Sequence, residues 1–105
     1  MVIKKLDFKN KVLLAPMSNI TNLPFRLMCK KYGADLVYSE MINCDAYLMN
    51  NKKTEKRAYF VEKERPVGIQ IFGSSIEKLT KAAKKIEKEL KPDLIDINIG
   101  CPAYN

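Results

Sequence analysis

Short apolar runs alternate with amphipathic stretches along this chain, in the rhythm of βαβ units. Val12-Leu-Leu-Ala15 has strand length and stops at Pro16. Thr21 or Asn22 can cap the helix that follows, with Pro24 in its first turn, where a missing N–H is harmless. Phe25, Leu27, Met28 and Tyr32 supply the apolar side of that helix, and Gly33 closes it. Ala34 to Tyr38 reads as the second strand, residues 45–51 as a short helix and residues 52–65 as a charged excursion. Pro66 then opens a third strand, Val67 to Phe72.

The next segment carries the clearest helical period. Ser74 and Glu77 have capping-box spacing. Ile76, Leu79, Ala83, Ile86 and Leu90 recur at intervals of three and four, which predicts one apolar stripe. Lys78, Lys81, Lys85 and Lys88 fall on the opposite face, as expected of a solvated surface. Pro92 ends the helix, and Asp93 to Ile99 reads as a fourth strand.

Strand parity adds direction. Ile69 and Ile71 share one face of the third strand, and Ile95, Ile97 and Ile99 share one face of the fourth. These faces are expected to meet helices. Gln70 and Asn98 lie on the other face, near the C-terminal ends of their strands. In a closed barrel that face is the interior, and the two amides point toward the rim where barrel enzymes keep their active sites. Two buried amides satisfied by neighbouring backbone are the plainer alternative. Polar or special clusters follow all four strands: Ala15-Pro-Met-Ser18, Ser39-Glu-Met41, Gln70-Ile-Phe-Gly73 and Asn98-Ile-Gly-Cys-Pro102. Together they suggest one shared rim, in an α/β barrel or a doubly wound sheet.

Composition narrows the chemistry. With 105 residues, 47% hydrophobic and 30% charged, the chain matches one small globular unit. It has no apolar run suited to a signal peptide or a membrane span, so a cytoplasmic location is the expectation. The three cysteines, Cys29, Cys44 and Cys101, form no C-x-x-C pair and read as reduced thiols. The absence of histidine argues against a zinc site and against a Cys-His nucleophile within these residues. A net charge of +7 suits a nucleic-acid partner, and equally a lysine-rich protein with none. Lys52, Lys53, Lys56 and Arg57 follow the second strand and are better placed for phosphate than the outer lysines of the long helix.

Leu14-Ala-Pro-Met17, Thr21-Asn-Leu-Pro-Phe-Arg26, Gly33-Ala-Asp35, Ser39-Glu-Met41, Arg65-Pro-Val67, Gln70-Ile-Phe-Gly73 and Asp96-Ile-Asn-Ile-Gly-Cys-Pro102 occur in this order. Taken together, they resemble the N-terminal part of a tRNA-dihydrouridine synthase, from about Val12 onward. Asn-x-x-Cys-Pro also resembles the dihydroorotate dehydrogenases, which are flavin barrels too. The Leu-Pro-Phe-Arg and Gln-Ile-Phe-Gly segments favour the tRNA enzyme.

The resemblance implies the N-terminal half of a (β/α)8 TIM barrel, an α/β fold with about four parallel strands here. It implies FMN as cofactor, NADPH or NADH as reductant and tRNA as substrate. Reduced flavin gives hydride to carbon six of a uridine, and a cysteine protonates carbon five; by motif match that general acid is Cys101. Pro16, Met17 and Ser18 match the family's first flavin-contacting turn, and Gln70 its flavin-binding amide. Asn98 matches a residue near flavin and base, and Glu40 lies in a family motif without an assigned step. Arg26 is expected to be structural, in a salt bridge or a helix cap. The family's lysine, histidine, phosphate-binding turns and helical domain map to none of these residues. The chain alone is therefore expected to bind FMN weakly or not at all and to be inactive, with the remaining half or a second chain completing the barrel. A non-catalytic half-barrel that binds RNA or pairs with another chain is the competing expectation.

Overall fold

A computed structural model describes residues 6–101; Pro102 of the Gly-Cys-Pro turn lies outside them. The fold is α/β, built on β1 (Val37–Tyr38), β2 (Ile42–Asn43), β3 (Val67–Phe72) and β4 (Leu94–Ile97). Every pairing is parallel. Gly68 pairs with both Tyr38 and Leu94, and Ile71 with both Ile42 and Ile97. β1 and β2 therefore share one edge of β3, as two halves of an interrupted strand, and β4 takes the other edge. Val12 to Leu14 add a further parallel segment beside β1, through the Leu13–Leu36 bridge and Leu14 N–H donating to the Leu36 carbonyl at 2.8 Å. Neighbouring strands thus follow chain order, as they do in part of a (β/α)8 barrel.

The break between β1 and β2 is repaired by a side chain. Ser39 N–H donates to the Gly68 carbonyl at 2.9 Å, while the Ser39 hydroxyl accepts Gln70 N–H at 3.2 Å and donates to the Glu40 carbonyl at 2.8 Å. The hydroxyl substitutes for a missing ladder carbonyl, so Glu40 and Met41 can leave the sheet plane without orphaning a buried amide.

Helices cover one face. α1 (Leu23–Lys31) starts at Asn22, whose side chain accepts Phe25 N–H at 3.1 Å. It ends before Gly33, whose φ of +107° few side chains tolerate. α2 (Cys44–Leu48) and α3 (Lys52–Ala58) are capped by Asn43 and Asn51. α4 (Ile76–Glu89) is capped by Ser75, which accepts Lys78 N–H; this corrects the capping box expected at Ser74. The core lies between β2, β3 and α2–α4, and holds Ile42, Cys44, Tyr47, Ala58, Ile69, Ile71, Ala82 and Ile86. No helix among the described residues is long and apolar enough to cross a membrane.

Several expectations change. Residues 52–65 hold α3 and a 3₁₀ turn, Glu62–Glu64, rather than an irregular excursion. Met28 and Tyr32 are exposed, and the most deeply buried side chain of α1 is Arg26. Ile76 is exposed at 84%, so the stripe of α4 begins at Leu79. Lys85 is not freely solvated: its ammonium donates to the Tyr47 carbonyl at 3.1 Å and to Asn50 Oδ1 at 2.6 Å, 4.9 Å from the centre of the Tyr47 ring. Ile95 packs on the core, but Ile97 and Ile99 are exposed and border an open hollow instead.

Candidate active site

The face of the sheet away from the helices carries Tyr38, Gly68, Gln70, Leu94, Asp96 and Asn98, by strand alternation. Glycine at 68 permits a close approach: a Cβ there would stand 2.7 Å from both Leu94 Cδ1 and Tyr38 Cδ1. These two side chains close the lower layer. Burial, and after it the Asp96 charge, pushes the Tyr38 phenol above its ordinary range, so it stays protonated.

The layer above is polar. Gln70 Nε2 donates to Asp96 Oδ2 at 2.6 Å, which fixes the amide so that Gln70 Oε1 faces Asn98. Asn98 Nδ2 donates to that oxygen at 3.4 Å and to Met41 Sδ at 3.3 Å. Asn98 Oδ1 accepts the N–H groups of Gly100 and Cys101, each at 3.0 Å. Asn98 N–H continues the ladder to the Ile71 carbonyl at 2.9 Å. The chain therefore leaves β4 through a turn tied to its own last strand residue, and that turn carries Cys101.

Counting groups separates two roles. A primary amide offers two N–H donors and an oxygen with two lone pairs. In Asn98 all four are engaged, so it positions the Gly100–Cys101 turn and has nothing left for a ligand. In Gln70 one N–H and one lone pair remain. A donor–acceptor pair of this kind suits the polar edge of a flavin or pyrimidine ring, so the donor set fits the cofactor that the sequence suggests. The Cys101 side chain is exposed and borders a hollow of about 310 Å³, shared with Met41, Phe72, Leu79 and Asn98.

The turn after residue 15 is held differently. The Thr21 hydroxyl accepts Met17 N–H and donates to the Met17 carbonyl, both at 3.1 Å; that carbonyl also accepts Ile20 and Thr21 N–H. Pro16 has no N–H to offer, and the Met17 amide is engaged, so the exposed Ser18 side chain is left to offer a polar group from this turn. Glu40 Oε1 accepts Asn19 N–H at 2.6 Å, joining the turn to the β1–β2 break. Cys101, Asn98, Gln70 and Met41 are thus one connected group. Pro16, Met17, Ser18 and Glu40 form a second, and the two meet through the backbone of residues 39–41. Asp96 escaped the sequence reading; the signal was its parity with Asn98 on β4, beside the expected partner Gln70.

Arg26 and Glu64 form a separate buried cluster. Arg26 Nε meets Glu64 Oε1, Nη1 donates to the Thr21 carbonyl at 2.8 Å, and Nη2 donates to the Tyr59 carbonyl at 2.9 Å. Glu64 Oε2 also accepts Val61 N–H at 2.9 Å. The guanidinium ties α1 to the 3₁₀ turn and to the end of α3, the structural role expected of it.

Comparison with known proteins gives the family. The family model described as "Dihydrouridine synthase (Dus)" matches residues 13–105. A probable tRNA-dihydrouridine synthase of Aquifex aeolicus is 50% identical over 93 residues, covering 89% of this chain and 29% of that protein. tRNA-dihydrouridine synthase B of Pseudomonas aeruginosa is 40% identical over 90% of this chain and 28% of its own length. A Xenopus tropicalis protein named tRNA-dihydrouridine(47) synthase [NAD(P)(+)]-like is 36% identical over 94% of this chain and 16% of its own. The chain thus spans less than a third of the length of each of these relatives. The match covers the β1–β2 break, the Gln70 strand end and the Asn98-to-Cys101 turn together, and by it the chain belongs to the dihydrouridine synthase family.

Proposed function

We propose that the protein carrying this chain reduces uridine to 5,6-dihydrouridine in tRNA, with FMN as cofactor, NADPH or NADH as reductant and Cys101 as general acid. The observation that carries the reading is the turn at the end of β4, where Asn98 Oδ1 holds the Gly100 and Cys101 amides and leaves the thiol exposed at the rim. When bound, reduced flavin supplies the hydride to carbon six. Cys101 then has one task, delivery of a proton to carbon five, which requires the thiol rather than the thiolate. Asn98 sets where that thiol stands. Gln70, locked by Asp96, offers one N–H and one lone pair to the polar edge of the flavin ring. Pro16, Met17 and Ser18 form the turn that would help hold the flavin, with Met17 offering a polarizable surface. Glu40 orders that turn through Asn19. The target base must leave its stack to reach this rim, as for other enzymes that act on bases. The cytoplasm is the compartment proposed for the reaction. The relatives are more than three times as long, so this chain carries part of the machinery, and the rest of a longer polypeptide or a second chain completes the barrel.

The test is reconstitution with FMN and either reductant on tRNA lacking dihydrouridine, read by nucleoside mass spectrometry. The expected result is a gain of two hydrogens on uridine, abolished by Cys101→Ala with flavin still bound. Turnover of free dihydroorotate with no change in tRNA would overturn the substrate. Full activity of Cys101→Ala would overturn the acid.

A further inference from the structure

On the far side of residues 39–41 from Cys101 lies a second hollow, of about 510 Å³, that the reaction above does not use. Lys53, Lys56 and Arg57 line it from α3, Tyr59 follows them, and Asn22 and Glu40 close it. Positions 53, 56 and 57 share one face of a helix, while Thr54 and Ala58 are the buried residues of α3. The three cations are exposed, and among the described residues none meets a carboxylate within ion-pairing distance; Lys52, by contrast, pairs with Glu55 at 3.3 Å. The one carboxylate in the hollow, Glu40, is nearly buried and takes the Asn19 amide. Tyr59 is 56% exposed, and its carbonyl is pinned by the buried Arg26, so its backbone is fixed while its ring stays open to solvent.

We infer that this groove holds the sugar–phosphate backbone of the RNA next to the nucleotide undergoing reduction, with Tyr59 stacking a neighbouring base. The inference rests on the tRNA reading and names a contact surface within it. Three cations beside an exposed ring suit a polyanion that carries aromatic bases. An acidic peptide would satisfy the charges and leave the ring unused. The place is right as well: Glu40 lines this groove, Met41 lines the hollow at Cys101, and one peptide step separates them. A strand that crosses residues 39–41 from the rim meets α3 on the other side.

The experiment is tRNA binding by the intact protein, followed by fluorescence anisotropy across a salt series. A triple variant, Lys53→Gln, Lys56→Gln and Arg57→Gln, is compared with Lys81→Gln, Lys84→Gln and Lys88→Gln on α4, which removes the same charge elsewhere. The groove variant is expected to lose roughly tenfold to hundredfold in affinity, and its salt slope to fall by about two to three, while the α4 variant changes little. Tyr59→Ala is expected to lose roughly tenfold with an unchanged slope, and Tyr59→Phe to retain affinity. Equal losses in the two triple variants, an unaltered groove variant, or a parent protein without RNA affinity would each overturn the groove. Dihydrouridine formation is scored separately. Turnover with an indifferent groove sinks this inference alone, and RNA held in the groove without turnover sinks the catalytic reading alone. Circular dichroism of each variant excludes unfolding as the cause of a loss.

Discussion

Two polar clusters sit on one small framework, built from the same ingredients and finished differently. In the Arg26–Glu64 cluster both side chains are essentially inaccessible, at 2% and 0%, and the groups they meet are backbone carbonyls, an amide and each other. In the Gln70–Asp96–Asn98 cluster a carboxylate again holds a donor, but Asp96 and Asn98 are half-buried, and Gln70 keeps a donor and an acceptor in reserve. The lesson is that polarity in a core does not mark a site by itself. A closed set of partners marks structure, and spare hydrogen-bonding capacity in the group that holds an exposed thiol is where the chemistry is proposed. Two of the three thiols repeat the contrast: Cys44 is fully buried in the core, and Cys101 is exposed at the rim.

The comparison breaks most visibly at the ion pair. Arg26→Leu leaves Glu64 buried without its cation, and a loss of about 3–5 kcal/mol in unfolding free energy is expected in urea denaturation. A loss under about 1 kcal/mol would show that the cluster is not the structural one. At the rim the order reverses. Cys101→Ala should reduce dihydrouridine formation by about 10²- to 10⁴-fold, the range of a lost general acid, while stability moves by less than about 0.5 kcal/mol.

Asn98→Ala sharpens the distinction between positioning and contact. It frees the Gly100 and Cys101 amides, so a fall in kcat of about tenfold to a hundredfold is expected with Cys101 still present. Flavin affinity should hardly change, since Asn98 has no group to spare. Asn98→Asp retains the oxygen that accepts both amides and should recover part of the rate. A variant that loses flavin and keeps its rate per bound flavin would make Asn98 a ligand instead.

The smallest effect separates the thiols by pH. Burial, then Asp45, pushes the Cys44 thiol up from 9.0 to about 11. Between these values the folded chain binds more protons than the unfolded one, so stability is fully present below pH 9 and declines as pH rises toward 11. The decline should be at most about 3 kcal/mol and absent in Cys44→Ala. Iodoacetamide on the folded protein near neutral pH should label Cys101 and spare Cys44, as peptide mass mapping can check.

Much of this layout is legible in the residues, element by element. Val67–Phe72 is an apolar run broken only by Gln70 and entered through Pro66, and it is β3 to the residue. α4 appeared through its period, although the period could not tell that Ile76 overhangs the sheet, since a first turn repeats like any other. α3 was missed because Lys-Lys-Thr-Glu-Lys-Arg-Ala buries only Thr54 and Ala58, too little for an apolar stripe. Its one local signal was Asn51 placed to cap Thr54. β2 is two residues long and has no pattern of its own; it exists because Ile42 and Asn43 meet Ile71 and Phe72.

By itself the sequence determined the alternation of strands and helices, their parallel sense and the gathering of Ser39–Met41, Gln70 and Asn98–Cys101 at one rim. Those properties are local: apolar period, proline and glycine stops, and side-chain parity act within a few residues. Tertiary structure alone decided which polar groups are closed and which stay open. Arg26 finds Glu64 across 38 positions, Gln70 finds Asp96 across 26, and the cations of α3 face a hollow shared with the start of α1. Such pairings depend on how helices and strands pack, and no short-range pattern encodes them. They decide here that one carboxylate holds the fold together while another holds an amide ready at the rim.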